Sequence, residues 1–176
     1  MKFLPIGIDG AYLIEMEPHE DERGYFARTR SNEEFLAHGL DADLSECSIS
    51  FNKRQRTLRG MHYQAPPHEE TKLVTCVRGL IFDALVDLRK DSNTYLKSFC
   101  AELSLENGHS LYIPPGVAHG FLTLEDDTYV QYQIGGAHAP DAARGIRWND
   151  PALDITWPFE PELVSERDRN FEDYTT

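Results

Sequence analysis

Cysteine is scarce. Cys47, Cys76 and Cys100 are the three in 176 residues, an odd number at wide spacing that argues against a disulfide framework or a zinc knuckle and is read as buried, reduced thiols. Long apolar runs are missing too. No stretch approaches the roughly 20 residues a membrane span needs, and Met1-Lys2-Phe3-Leu4-Pro5 is too short for a secretory signal, so a cytoplasmic chain without a membrane partner is expected. Positive charge is in deficit: 17 Lys and Arg stand against 30 Asp and Glu, a net charge of −13. That balance repels phosphate backbones at long range, and nucleic acid is not an expected partner.

What is present is a globular composition. Hydrophobic residues make up 40% of the chain, enough apolar surface to offset chain entropy. The length fits one domain spanning residues 1–176. Against the acidic background, Lys53, Arg54, Arg56 and Arg59 fall inside seven residues, with Lys72 soon after. Such an island is either a charge-protected strand edge or a site for a small anion such as a diphosphate.

Short runs of alternating apolar and polar residues dominate the middle of the chain, from Thr71–Val77 through Tyr129–Ile134. Regular turn signals separate them at Arg78-Gly79, Asp91-Ser92-Asn93, Glu106-Asn107-Gly108, Pro114-Pro115-Gly116, Glu125-Asp126-Asp127 and Gly135-Gly136. This pattern predicts an all-β jelly-roll barrel with short flanking helices. One helix is expected where Ser31 caps, Phe35 and Leu36 supply an apolar side and Gly39 stops the chain. A second follows Ser165. Residues 140–161 read as irregular chain that packs Trp148 and Trp157 across the body.

The densest chemistry lies in Thr57-Leu58-Arg59-Gly60-Met61-His62-Tyr63-Gln64, then Lys72-Leu73-Val74, then Pro114 to Phe121. The P-x-G-x-x-H run ending at His119 is half of a cupin metal motif, and Glu69 or Glu70 would complete a His62–His119–carboxylate set for Fe, Mn or Zn. Gln64, however, stands where a second histidine is expected, and Lys72 would set a positive charge against a dication. The same residues suit carbonyl chemistry without a metal. Removing a proton next to a ketone needs a base near neutral pKa and positive charge where the oxygen becomes negative; His62 and Lys72 are of those types. Inversion further needs a donor on the opposite face, and Tyr132, sharing parity with Val130 and Ile134, faces an apolar interior. A core tyrosine bonded to backbone would show the same parity. Arg59 and His62 have opposite parity on a regular strand, so Gly60 is expected to mark a bulge that turns both inward.

Taken together, Asp21-Glu22-Arg23-Gly24-Tyr25-Phe26, Leu58 to Gln64, Lys72-Leu73-Val74, Val86-Asp87-Leu88-Arg89, Ile113 to Phe121, Gly145 to Pro151, Ile155-Thr156-Trp157-Pro158 and Ser165-Glu166-Arg167-Asp168 resemble the dTDP-4-dehydrorhamnose 3,5-epimerase family over nearly the full length. The resemblance implies a cupin-like homodimer that inverts a nucleotide-diphosphate-linked 4-keto-6-deoxyhexose at C3, C5 or both, without metal or cofactor. It implies His62 as base, Asp168 as its orienting carboxylate, Tyr132 as acid and Lys72 as the cation at the enolate. Arg59 and His119 line the pocket by the same resemblance, and Arg23 and Phe26 belong to the segment that holds the nucleotide. The chain departs from the family at Arg28, where a glutamate is usual. Cys47 and Ile49 stand in place of a glutamine and an asparagine near the sugar, and His138 and Ala143 in place of a tyrosine and a glutamate. These changes leave the implied catalytic set intact and alter the shell around the substrate.

Overall fold

The computed structural model describes residues 1–175. One sheet contains β1 (Lys2–Pro5), β2 (Tyr12–Glu15), β5 (Glu46–Asn52), β7 (Thr71–Arg78), β10 (His109–Ile113) and β12 (Thr128–Gly135), in the spatial order β1-β2-β10-β7-β12-β5. The second contains β6 (Thr57–Gln64), β8 (Leu80–Asp87), β9 (Ser98–Ser104), β11 (Val117–Thr123) and β13 (Ala143–Gly145), in the order β13-β6-β11-β8-β9, with β14 (Leu163–Val164) pairing parallel to β6. β3 (His19–Asp21) and β4 (Gly24–Phe26) form a separate hairpin. The two large sheets close on each other as a jelly roll, because every second residue of the middle strands is apolar and must face a partner. Val74 and Cys76 of β7, Leu111 and Ile113 of β10 and Val130 of β12 meet Ile81 and Leu85 of β8, Leu103 of β9 and Val117 and Phe121 of β11 in one buried cluster.

The expected turns fall between these strands, and α1 (Asn32–Ala37) begins where Ser31 Oγ accepts the Glu34 N–H. Phe35 is buried but Leu36 is exposed, so only one of the two predicted apolar residues anchors the helix. A six-residue helix has room for little more. α2 (Glu166–Arg169) follows Ser165, whose Oγ accepts the Asp168 N–H. The segment expected to be irregular contains β13 and two 3-10 turns, Pro140–Ala142 and Pro151–Leu153. Three residues carry too short an alternation to be read as a strand. As expected, Trp148 and Trp157 pack edge to face, and the Trp157 indole N–H donates to the Trp148 carbonyl at 2.9 Å. They help cover the outer face of the second sheet, where Met61, Ala84, Val86, Ala118 and Ile146 form another buried cluster.

The barrel's far end is tied by Asp87, the last residue of β8 and fully buried. Burial would raise its carboxyl, but hydrogen bonds from Arg89, Ser92 and Thr94 outweigh burial and hold it at about 2. A carboxyl depressed from 3.8 to about 2 adds stability that is complete above pH 3.8 and vanishes as pH falls through 2, about 2 kcal/mol at neutrality. Asp87→Asn is expected to lose roughly that amount in urea unfolding at pH 7, with a smaller deficit at pH 2.5. Equal deficits at both pH values would refute this account.

Candidate active site

His62 and Arg59 reach the barrel interior through an irregularity in β6. Across the β6–β11 ladder His62 pairs with His119 but Arg59 pairs with Phe121, so three steps on β6 match two on β11. The bulge expected at Gly60 is there. Gly60 has φ +133°, and a Cβ at that position would lie 2.5 Å from the Gly120 Cα, so two glycines let the strands approach where the extra residue is absorbed. With the parity reset, His62 and Arg59 share the face of His119 and Phe121, while Met61 turns to the outer cluster.

The bulge also exposes a backbone donor. The Gly60 N–H donates to Asp168 Oδ2 at 3.2 Å, and Asp168 Oδ1 lies 2.7 Å from His62 Nε2. Asp168 is itself held by α2, whose cap Ser165 receives the Asp168 N–H. Burial pushes the Asp168 carboxyl up, but the His62 hydrogen bond, the imidazole's charge and the Gly60 and Ser165 contacts together hold it below its ordinary value. With Nε2 engaged, His62 Nδ1 has no hydrogen-bond partner among the described residues and is left for a ligand. Phe171 stands edge-on to the ring at 5.9 Å between centroids and limits its tilt.

Tyr132 and Lys72 come from the opposite sheet. Tyr132 follows the inward parity of Val130 and packs on the barrel cluster, with its ring edge-on to His119 at 5.9 Å. Burial, reinforced by the Asp83 charge and opposed by Arg59, pushes its phenol well above the usual range. It stays a proton donor at neutral pH. Lys72, the second residue of β7, pairs in register with Ile134 and forms an ion pair with Glu70 at 2.8 Å.

Below them lies a second histidine–carboxylate pair, His119 Nε2 and Asp83 Oδ2 at 2.9 Å, both buried. Burial raises the Asp83 carboxyl despite the opposing charges of His119 and Lys72. Asp83 Oδ1 has no hydrogen-bond partner among the described residues.

Two adjoining clefts meet at His62. One, of about 330 Å³, is lined by Ser48, Glu70, Lys72, Tyr132, His138 and Arg144 among others. The other, of about 390 Å³, runs past Arg59, Ser165 and Asp168, and Arg167 borders both. A larger cleft, about 490 Å³ beside Trp148 and Trp157, contains none of these groups.

Several expected residues lie elsewhere. Cys47 is a correction on two counts: it is exposed, and it points to the outer face of its sheet, where Gln131 Nε2 donates to its sulfur at 3.3 Å. Alternation explains this, since Ser48 and Ser50 pair with Tyr132 and Val130 and so share the barrel face. Arg23, paired with Asp21, and Phe26 stand out on the hairpin, and Phe26 is 77% exposed. Arg28 pairs with Glu34 at 3.3 Å and lies with Phe26 in a separate pocket of about 160 Å³. Within one chain these three are not brought to the clefts. Of the basic island, Arg56 is spent on Glu162 and the face of Phe159. Arg59 borders the cleft at His62, its Nε donating to Asn52 Oδ1 at 2.7 Å.

The metal alternative lacks its donor set. Among the described residues no three His, Cys, Asp or Glu side chains converge as a metal site would require. His62 and His119 each engage their own carboxylate instead.

The residues 5–175 match the family model described as dTDP-4-dehydrorhamnose 3,5-epimerase. The chain belongs to that family. It is 41% identical over 173 residues to dTDP-4-dehydrorhamnose 3,5-epimerase of Methanothermobacter thermautotrophicus, covering 97% of this chain and 92% of the relative. The crystal structure of dTDP-4-dehydrorhamnose 3,5-epimerase from Bacillus anthracis, with TDP and PPi bound, superposes with a TM-score of 0.94 at 33% identity, covering 98% of this chain and 99% of that one. The Legionella pneumophila dTDP-6-deoxy-D-glucose-3,5-epimerase, solved with dTDP-4-keto-L-rhamnose, gives 0.91 at 29% identity, covering 98% and 92%. Membership in this epimerase family fixes the cupin-like jelly roll and the class of reaction.

Some site residues escaped the sequence reading. Asp83 was legible, since it is a charge in the midst of the apolar residues of β8 from Leu80 to Val86. Ser48, Ser50, Arg144 and Arg167 were not, because their relevance depends on which loops border the cleft.

Proposed function

We propose that the chain epimerises a dTDP-linked 4-keto-6-deoxyhexose at C3, C5 or both. The observation that carries the reading is the placement of a carboxylate-bound histidine and a partly buried, protonated tyrosine on facing sheets of one barrel, either side of the cleft. His62 Nδ1 takes the proton from the carbon next to the ketone, and the C–H electrons move into an enolate. Lys72 stabilises the developing oxyanion. Tyr132 then gives its proton to the carbon from the other face, leaving a phenolate that recovers its proton from water as His62 releases its own. Asp168 fixes the imidazole's tautomer and orientation.

Arg59, Arg144 and Arg167 border the clefts of a strongly acidic chain and suit the diphosphate. His138 borders the sugar cleft, while His119 lies buried against the Tyr132 ring and steadies it. Arg23, Phe26 and Arg28 complete a site only if the hairpin reaches another chain, so a homodimer belongs to this reading. The exposed apolar residues Ile49 and Phe51 on the outer face of β5 give a partner something to cover. Sedimentation as a 20.1 kDa monomer would remove this part. Unpaired thiols, one of them exposed, suit a cytoplasmic protein, and among the described residues no helix is long and apolar enough to cross a membrane.

The test is proton NMR in deuterated water with dTDP-, CDP- and GDP-linked 4-keto-6-deoxyhexoses, after exhaustive chelation. Loss of the C3 or C5 proton signal with appearance of the epimer is expected for the dTDP sugar. Its absence with every sugar would sink the proposal.

A further inference from the structure

The last residue of β6, Gln64, is polar, 4% exposed and absent from the chemistry above. Its side chain nevertheless meets three backbone groups. Nε2 donates to the His68 carbonyl at 2.7 Å and to the Ala137 carbonyl at 3.5 Å, and Oε1 accepts the Ala139 N–H at 2.9 Å. His68 belongs to the loop that leads into β7 and Lys72; Ala137 and Ala139 belong to the segment that leaves β12 and Tyr132. The two segments touch: a Cβ on Gly136 would stand 3.4 Å from the Glu69 carbonyl. Next to Gln64, the Ala65 N–H donates to the Ala142 carbonyl at 2.9 Å, so the same corner is stitched once more by backbone.

One amide therefore joins the strand of His62 to the two chain segments that continue the strands of Lys72 and Tyr132. The chemistry of glutamine suits this. It offers two donors and an acceptor in a fixed plane, whereas glutamate cannot donate when ionised and methionine fills the volume without either. A buried amide with its partners engaged resists displacement, because breaking any of the bonds leaves a polar group unpaired.

We propose that Gln64 is a positioning residue that sets the distance between the base on one sheet and the acid on the other, and so decides how often an enolate is reprotonated from the far face. This rests on the roles given above to His62 and Tyr132. Proton removal depends mainly on His62 and Asp168, which are anchored by the bulge and by α2. Inversion depends in addition on where Tyr132 stands relative to the carbon. Loosening the Gln64 clasp therefore acts on inversion more than on exchange.

The experiment uses the full chain and a dTDP-linked 4-keto-6-deoxyhexose in deuterated water, comparing wild type with Gln64→Met and Gln64→Glu. Deuterium entry and epimer formation are followed in the same NMR sample, and thermal unfolding reports how much of each variant is folded. The number of inversions per exchange event is expected to fall roughly tenfold, the scale of a sub-ångström misplacement of a reacting group. Simple loss of folded protein lowers exchange and inversion together and leaves their ratio alone. Gln64→Glu keeps the acceptor for Ala139, so should one variant fold poorly the other still yields the ratio. A ratio equal to that of wild type in the folded variant overturns the inference while leaving the epimerase reading intact. A wild-type protein that neither exchanges nor inverts this sugar is instead the failure of that reading.

Discussion

His62→Ala leaves the substrate ring free of solvent deuterium and lowers kcat/KM by about 10³-fold, the usual worth of a positioned general base. Binding of dTDP should change little, because His62 touches the sugar side of the cleft and the arginines remain. The check is NMR exchange over hours beside a calorimetric titration with dTDP. Exchange that survives at the wild-type rate would remove His62 as base and leave Asp168 or Glu70 as the nearest alternatives. An effect of this size follows from the geometry. Asp168 is 2.7 Å from Nε2 and is itself fixed by the Gly60 and Ser165 contacts, so no neighbouring group can take over Nδ1 without the strand moving.

Tyr132→Phe gives the complementary result: deuterium still enters the ring, yet the epimer forms at least about 10²-fold more slowly. The ring that packs on His119 and the barrel cluster is kept, so stability should hold. What is lost is a proton donor whose phenol burial keeps protonated. Should inversion persist at one carbon and fail at the other, Tyr132 serves a single centre, and the outcome would show how many carbons this chain inverts. Unimpaired inversion at both carbons would rule out its role as acid.

Much of this was legible beforehand, for identifiable reasons. The alternation in β12 placed Tyr132 on the barrel face, and the parity conflict between Arg59 and His62 forced the bulge that Gly60 provides. Ser31 and Ser165 announced both helices through their caps. Cys47 failed because likeness at an aligned position says nothing about which side of a strand a side chain takes; Ser48 and Ser50 hold the inward positions. Arg23, Phe26 and Arg28 were tied to the nucleotide by resemblance, and a single chain leaves them on an outlying hairpin. Gln64 was weighed only as a metal ligand. Its three backbone partners lie four or more residues away in sequence, two of them more than seventy, and no local pattern reveals such a clasp.

The extra residue in β6 also acts as a gauge. Because it brings Arg59 and His62 onto one face, their backbone positions stand about two residue rises apart along the strand, roughly 7 Å. In the proposed reaction that interval lets Arg59 hold the diphosphate while His62 meets the sugar ring. Shortening or lengthening β6 by one residue between them would turn one group out toward Met61's side of the sheet. On the roles proposed for Arg59 and His62, any change in this three-residue interval would separate substrate capture from proton removal.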